Sequence, residues 1–104
     1  KSLANVTIPE GVTTIGGEAF WECSSLIAIT IPKSVTSMGS MVFHGCKKLV
    51  KVYCKPTTPP TSGLHSFEEN ASGRKIYVPK NSVNKYKSAK VWSNYKNDIQ
   101  GYNF

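Results

Sequence analysis

The feature that most constrains this chain is an internal repeat of 23 residues. Residues 3–25 and 26–48 align without a gap, and nine of the 23 aligned positions are identical. The identical positions include a proline, a glycine, a phenylalanine and a cysteine, while conservative pairs such as Val6 and Ile29 fill other apolar positions. Self-similarity at a fixed period of this length is typical of proteins built from stacked coils. The repeat therefore predicts a solenoid, in which each coil is stabilised by its neighbours.

A third copy begins on schedule at Leu49 and then departs from the pattern. A stretch rich in proline and threonine, residues 55–63, replaces the segment that follows the strand in the first two copies. Residues 76–79 then match residues 6–9, which indicates one more strand. We therefore divide the chain into repeat coils over residues 1–79 and a helical C-terminal cap over residues 80–104. The coils are residues 3–25, residues 26–48, a degenerate copy at 49–72 and a last strand within 73–79.

The first residues of each copy alternate between apolar and polar side chains, as a strand with one buried face does. In the first copy Val6 and Ile8 point to one side, and Asn5 and Thr7 point to the other. Such short strands are stable only when copies pair in parallel, about 4.8 Å apart, over a shared interior. The outward positions then form columns that cross the coils. One column is Thr7, Thr30, Tyr53 and Tyr77, and the next is Asn5, Ala28, Lys51 and Lys75.

Glycines and cysteines at repeated positions indicate scaffold rather than a reactive site. Gly16 and Gly39 predict a tight turn that needs either a positive φ or a close backbone approach. Cys23 and Cys46 share one core position, and Cys54 takes a strand position that isoleucine holds in the other copies. We expect all three cysteines to be small buried apolar side chains, since parallel Cβ vectors at one position of a ladder make poor disulfide geometry.

The repeat unit, L-x-x-I-x-I-P-x-x-V-T-x-I-G-x-x-A-F-x-x-C, closely resembles that of the BspA-like family of bacterial leucine-rich-repeat surface proteins. Residues 3–25 match it almost letter for letter, and residues 26–48 nearly as well. The resemblance implies a leucine-rich-repeat solenoid of the α/β class, with mostly short parallel strands and turns and a short helical C-terminal cap. It also implies an extracellular or cell-surface protein that adheres to host or neighbouring-cell proteins. Because Lys1 and Ser2 fit the repeat as well, we expect a C-terminal piece of a longer array.

The tail over residues 81–99 has helical composition, but its apolar residues do not share one helical face. Two short helices with a break near residues 88–90 fit this pattern better than one long helix. We expect their apolar sides to cover the last coil, since a solenoid needs a terminal cap over its final core layer and strand edge. The apolar residues form two groups on the helical wheel, Val83 with Tyr86, and Val91 with Trp92, Tyr95 and Ile99.

The net charge of +7 is concentrated in the second half of the chain. Residues 1–48 carry four lysines against three glutamates, or +1, and residues 49–104 carry nine basic residues against three acids, or +6. Solvated lysines explain most excesses of this kind, although binding of an anionic glycan by the basic half stays open. Neither an arginine cluster nor a nucleic-acid motif accompanies the charge, and no apolar run approaches the roughly 18 residues of a membrane-spanning helix. We therefore expect no nucleic-acid partner and no membrane insertion.

No residue pattern in the chain predicts catalysis, a cofactor or a metal site. The sequence lacks G-x-S-x-G, C-x-x-C and H-x-x-x-H, and Gly16-Gly17 is a repeated turn rather than a phosphate loop. We therefore predict a non-enzymatic module that binds a protein ligand. Two alternatives stay open, namely coils that only cap a longer array, and anionic-glycan binding. The candidate binding face consists of Thr7, Thr30, Tyr53, Tyr77, Lys51 and Lys75.

Overall fold

A computed structural model describes residues 5–104 and shows a leucine-rich-repeat solenoid. Four strands, one from each successive repeat, and a fifth from the tail form a parallel sheet in the order β1-β3-β5-β7-β8. A second parallel sheet follows the first turn of each coil in the order β2-β4-β6. The strands are β1 (Asn5–Thr7), β2 (Thr14–Ile15), β3 (Ala28–Ile31), β4 (Ser37–Met38), β5 (Lys51–Cys54), β6 (Thr61–Ser62), β7 (Lys75–Pro79) and β8 (Ile99–Tyr102).

The return side of each coil is hydrogen-bonded to the next coil, although it forms no regular strand. The Phe20 backbone N–H donates to the Val42 carbonyl at 3.0 Å, and the Phe43 N–H donates to the Ser66 carbonyl at 2.9 Å. Between the two sides lies a core of stacked equivalents. Phe43 lies between Phe20 and Phe67, with ring centroids 5.4 Å apart on each side. The repeat period thus becomes a ladder of like side chains through the interior.

Gly39 is required by a close approach between coils and not by its backbone conformation. A β-carbon on Gly39 would lie 2.5 Å from the Gly17 Cα of the preceding coil, whereas one on Gly16 would meet no atom within 4 Å. Neither Gly16 nor Gly39 has a positive φ. Left-handed backbone recurs instead at two later points of each coil, besides single cases such as Gly11 and Gly73. The first point is Glu18, Met41 and His65, and the second is Glu22, Gly45 and Glu69.

The C-terminal segment contains two short helical pieces and a strand. A 3-10 turn (Lys80–Ser82) leads into helix α1 (Val83–Ser88), and a 3-10 helix (Trp92–Asp98), kinked at Tyr95, follows. Residues 99–102 then form β8, which pairs with β7 in parallel. The two short helical pieces agree with the predicted helical cap, and strand β8 is an addition to it. This strand forms because the free edge of β7 offers backbone hydrogen bonds that the local sequence does not reveal.

The cap supplies side-chain donors to carbonyl groups of the third coil. The Tyr86 hydroxyl donates to the Pro56 carbonyl at 2.6 Å, and the Trp92 indole donates to the Pro60 carbonyl at 2.8 Å. Ser82 precedes α1 at the N-cap position but makes no side-chain cap hydrogen bond; its hydroxyl donates to the Thr57 carbonyl at 2.8 Å. Pro56 and Pro60 are buried, and buried carbonyl groups need such partners.

The cap also continues the phenylalanine ladder. Trp92 and Tyr95 both contact Phe67, with ring centroids 5.4 Å away in each case. The backbone N–H groups of Phe20 and Phe43 donate to carbonyl groups of the next coil. The equivalent N–H of Phe67 instead donates to the Tyr95 hydroxyl, 3.4 Å away. One tyrosine hydroxyl thus takes the place of a backbone acceptor.

Candidate binding face of the parallel sheet

The strand register places the predicted outward columns side by side. Thr7 pairs with Thr30, Thr30 with Tyr53, and Tyr53 with Tyr77. The alternate positions of these strands are buried in β3, β5 and β7, so the column lies on the outer surface of the sheet. The structure adds a fifth member, Gln100 of β8, which pairs with Tyr77.

The neighbouring column carries the charge of this face. Lys51 pairs with Lys75, and Ala28 and Asn5 continue the column toward β1. Lys51 is exposed and Lys75 is half-buried. Neither ammonium group forms a salt bridge with any residue that the structure describes. Both charges are therefore available to an acidic partner.

Four aromatic rings form a continuous cluster on the outer surface of the sheet. Tyr53 and Tyr77 are stacked with centroids 5.2 Å apart, and Tyr102 contacts both rings at 5.5 and 5.4 Å. Phe104 lies 4.8 Å from Tyr102 and 6.5 Å from Tyr53. Tyr102 is 43% exposed and Phe104 is 48% exposed, so the cluster offers apolar area to solvent. We call these four residues the aromatic cluster.

The sequence pattern predicts only two of the four members of the aromatic cluster. Tyr53 and Tyr77 follow from the repeat, which aligns them with Thr7 and Thr30. Tyr102 lies in β8 and Phe104 lies beyond it, outside the repeat, where no alignment assigns a direction to a side chain. The one signal for them is the aromatic spacing in the final Y-N-F, which matches two positions on one face of an extended segment.

The structure places the three cysteines in the scaffold, away from the outer face of the sheet. Cys46 and Cys54 are buried, Cys23 is half-buried, and all three are free thiols. Burial raises the pKa of Cys54 to about 12 and that of Cys46 to about 11, so both are protonated at neutral pH. The Cys54 thiol lies 3.4 Å from the Tyr86 hydroxyl, and burial, followed by the nearby Cys54, raises the pKa of Tyr86 as well. These groups are suited to packing and not to nucleophilic chemistry.

Other ionisable side chains are dispersed over the return side. His44 Nε2 lies 4.0 Å from a Glu69 carboxylate oxygen, and His65 Nδ1 lies 3.2 Å from Glu68. Over residues 5–104 no group of three or more histidine, cysteine or acidic side chains is placed to hold a metal ion. Within the same range, no helix has the length and apolar character needed to cross a membrane.

A comparison with protein-family models matches residues 1–99 to the BspA type leucine rich repeat region. The match spans nearly the whole chain and agrees with the stacked coils described above. The chain belongs to the BspA-type leucine-rich-repeat family. A comparison with curated proteins finds no match.

Membership in the BspA-type family describes the function at a coarse level. Leucine-rich repeats of this type are modules for protein interaction, and they are typically non-enzymatic scaffolds. BspA-type proteins are typically found at the bacterial surface or secreted. A protein is therefore the class of partner that the family indicates.

Proposed function

We propose that this BspA-type module binds a protein partner through the outer face of its parallel sheet and serves adhesion at a bacterial surface or in a secreted protein. The aromatic cluster is the observation that supports this proposal most directly. Large rigid rings provide contact area at low cost in side-chain entropy, and tyrosine is enriched where proteins bind each other. Lys51 and Lys75 lie beside the rings and would steer an acidic partner toward them.

Strand propensity alone does not account for the cluster. Tyrosine is common in strands, which could explain Tyr53 and Tyr77. Phe104, however, lies after the end of β8, and its ring still packs at 4.8 Å against Tyr102. An aromatic side chain outside any strand, held on the same face and almost half exposed, is better explained by a surface that contacts another molecule.

The proposal is tested with an array of purified extracellular-matrix and bacterial surface proteins, probed with the chain and with two matched variants. Tyr53→Ser/Tyr77→Ser removes two rings of the cluster, and Trp21→Ser removes an exposed ring, 45% accessible, from the return side. We expect the double variant to weaken binding to a captured protein about 30-fold or more, as for hot-spot residues, and Trp21→Ser to leave it unchanged. Unchanged binding by the double variant would contradict the assignment of this face.

A second candidate function is purely architectural, and the cap favours it. Side chains of the tail bond to three carbonyl groups of the third coil, and Trp92 covers Phe67. This arrangement closes the end of a solenoid whether or not the coils bind anything. Absence of binding to the whole array by the intact chain, together with binding by a longer parent protein, would favour this alternative.

A further inference from the structure

A cavity of about 590 Å³ lies beside the aromatic cluster, where the sheet meets the cap. Its size is within the usual range for small-molecule sites. It is lined by three lysines, two asparagines, a serine, a threonine, a proline and two aromatic residues, and no aspartate or glutamate is among them. The charged and aromatic lining residues are Lys33, Lys55, Lys80, Tyr102 and Phe104. We call this cavity the lysine pocket.

The fold explains why three lysines meet at one place. Lys55 follows the last residue of β5, Lys80 follows the last residue of β7, and Lys33 comes two residues after the end of β3. Because these strands are parallel neighbours, their carboxyl ends lie at one edge of the sheet, about 4.8 Å apart per strand. The first coil has Glu10 at the position of Lys33, but Glu10 does not line the pocket.

The three ammonium groups are not neutralised by the protein. The salt bridges among the described residues join His44 to Glu69, His65 to Glu68 and Arg74 to Asp98, and none involves a lysine of the pocket. Like charges that share a concave surface raise the local positive potential and attract an anion. The three charges therefore remain available to an external anion.

The remaining lining favours a sugar as the carrier of the negative charge. A sugar ring has apolar C–H faces and a rim of hydroxyl groups. Tyr102 and Phe104 offer aromatic faces on which the C–H faces of a sugar can stack. Asn81 and Asn103 have exposed carboxamide groups, which can donate hydrogen bonds to the sugar hydroxyl groups and accept hydrogen bonds from them. Lys55 already lies 6.0 Å from the centroid of the Phe104 ring, so one ligand can contact charge and ring together.

We propose that the lysine pocket binds a sugar unit that carries a carboxylate or sulfate group, as part of an anionic glycan. Lys33, Lys55 and Lys80 would contact the acidic group, and Tyr102 and Phe104 would pack against the ring. The site shares Tyr102 and Phe104 with the aromatic cluster, but its three lysines lie outside that cluster, and it does not depend on the proposed protein binding.

The test measures binding by calorimetry or NMR titration at about 0.15 M salt, where weak long-range attraction is screened. The probes are digalacturonic acid, a sulfated heparin-derived disaccharide, the neutral disaccharide cellobiose and a tetraglutamate peptide. The first two distinguish carboxylate from sulfate as the preferred group. We expect at least one of the two acidic disaccharides to bind. Cellobiose and tetraglutamate should bind at least about tenfold more weakly, because each lacks either the charged contact or the stacking contact.

Two triple variants separate a site from general charge. Lys33→Ala/Lys55→Ala/Lys80→Ala empties the pocket of cations, and Lys47→Ala/Lys48→Ala/Lys96→Ala removes the same charge from exposed lysines elsewhere. We expect the pocket variant to lose about tenfold or more in affinity and the control variant to keep it. The proposal would be overturned by equal losses of affinity in the two variants or by no binding of either acidic disaccharide. It would also be overturned if cellobiose bound equally well or if tetraglutamate bound more tightly. The last result would indicate an acidic protein segment instead.

The two proposals fail independently. Lys33→Ala/Lys55→Ala/Lys80→Ala leaves all four rings of the aromatic cluster in place, so it should not change binding of the protein partner. A chain that loses the acidic disaccharide in that variant and keeps its protein partner binds the two ligands through different residues.

Discussion

Arg74 joins the third coil to the cap through several contacts of one buried side chain. Its guanidinium donates to the Phe67 carbonyl, to Asn70 Oδ1 at 3.0 Å and to Asp98 Oδ2 at 2.7 Å, and it lies 5.2 Å from the centre of the Tyr95 ring. The side chain is only 9% exposed. A planar fork of donors suits such a position, where a lysine would satisfy fewer acceptors.

We predict that Arg74→Met lowers the free energy of unfolding by about 2–3 kcal/mol, because it leaves a buried carbonyl and a carboxylate without their donor. Asp98→Asn should cost only about 1 kcal/mol or less, since Asp98 is 36% exposed and solvent screens its charge. Urea unfolding followed by circular dichroism measures both changes. Lys75→Met is the control, because it removes the same charge from a residue without an ion pair. A change for Arg74→Met no larger than for Lys75→Met would contradict this role.

At the scale of the element, the coils are held at their spacing by glycines as well as by strand pairing. Gly39 faces the Gly17 backbone, and Gly63 faces the Ser40 backbone. A β-carbon on Gly63 would lie 2.5 Å from the Ser40 backbone nitrogen. Side chains at these two positions would push neighbouring coils apart. Gly16 is the equivalent position in the first coil, but a β-carbon there would meet no atom within 4 Å.

Gly16 and Gly39 therefore form a matched pair for substitution. We predict that Gly39→Ala destabilises the chain by about 2–3 kcal/mol, the upper part of the range for overpacking, because backbone must move to accept the methyl group. Gly16→Ala should be neutral or should stabilise by up to about 1 kcal/mol through the unfolded state. Thermal and urea unfolding of the two variants compare these effects. Similar stability of the two variants would show that coil spacing does not depend on the glycine.

The elements that could be predicted from sequence are the periodic ones. The repeat aligns Thr30 with Tyr53, and the pairing of these two residues in β3 and β5 follows from the fixed period. Strand β8 carries no such signal, since residues 99–102 lie outside the aligned copies of the repeat. Its formation depends on the free edge of β7, a tertiary feature.

At the scale of the whole molecule, the sequence predicts the solenoid because one pattern determines strand, turn and core position together. The end of the solenoid is not predictable in the same way. The Tyr95 hydroxyl replaces a backbone acceptor, and Lys33, Lys55 and Lys80 meet only because three strands end at one edge. Lys33 and Lys80 share the repeat position that follows the strand proline, but Lys55, Tyr102 and Phe104 do not. The lysine pocket therefore emerges only from the assembled coils and cap.

The two ends of the described solenoid differ in packing. Val6, Phe20 and Cys23 of the first coil are half-buried, whereas their equivalents one coil later, Ile29, Phe43 and Cys46, are fully buried. At the other end the cap covers Phe67, which is only 2% exposed. Because each coil of a solenoid contacts only its neighbours, local stability should follow this difference.

We predict a gradient of amide hydrogen exchange along this chain. Amides that bond across β1 and β3, such as the Ile8 N–H to the Thr30 carbonyl at 3.0 Å, should exchange at least about 100-fold faster than those between β5 and β7, since fewer contacts must open to expose them. Exchange followed by NMR measures the rates residue by residue. Equal protection of β1 and β5 would mean that the chain opens as one unit and would contradict the nearest-neighbour description.

Variants at the two ends extend the same prediction. Trp92→Ala removes the ring that covers Phe67, and should accelerate exchange first in β7 and β5, whereas Phe20→Ala should accelerate it first in β1 and β2. Both substitutions delete a large aromatic side chain, with a cost of about 3–5 kcal/mol where the ring is fully buried and less at half-buried Phe20. A local response at the substituted end, with protection retained at the other, is the outcome that nearest-neighbour coupling requires. A uniform response in either variant would instead indicate that cap and coils unfold together, so that the cap determines the stability of every coil.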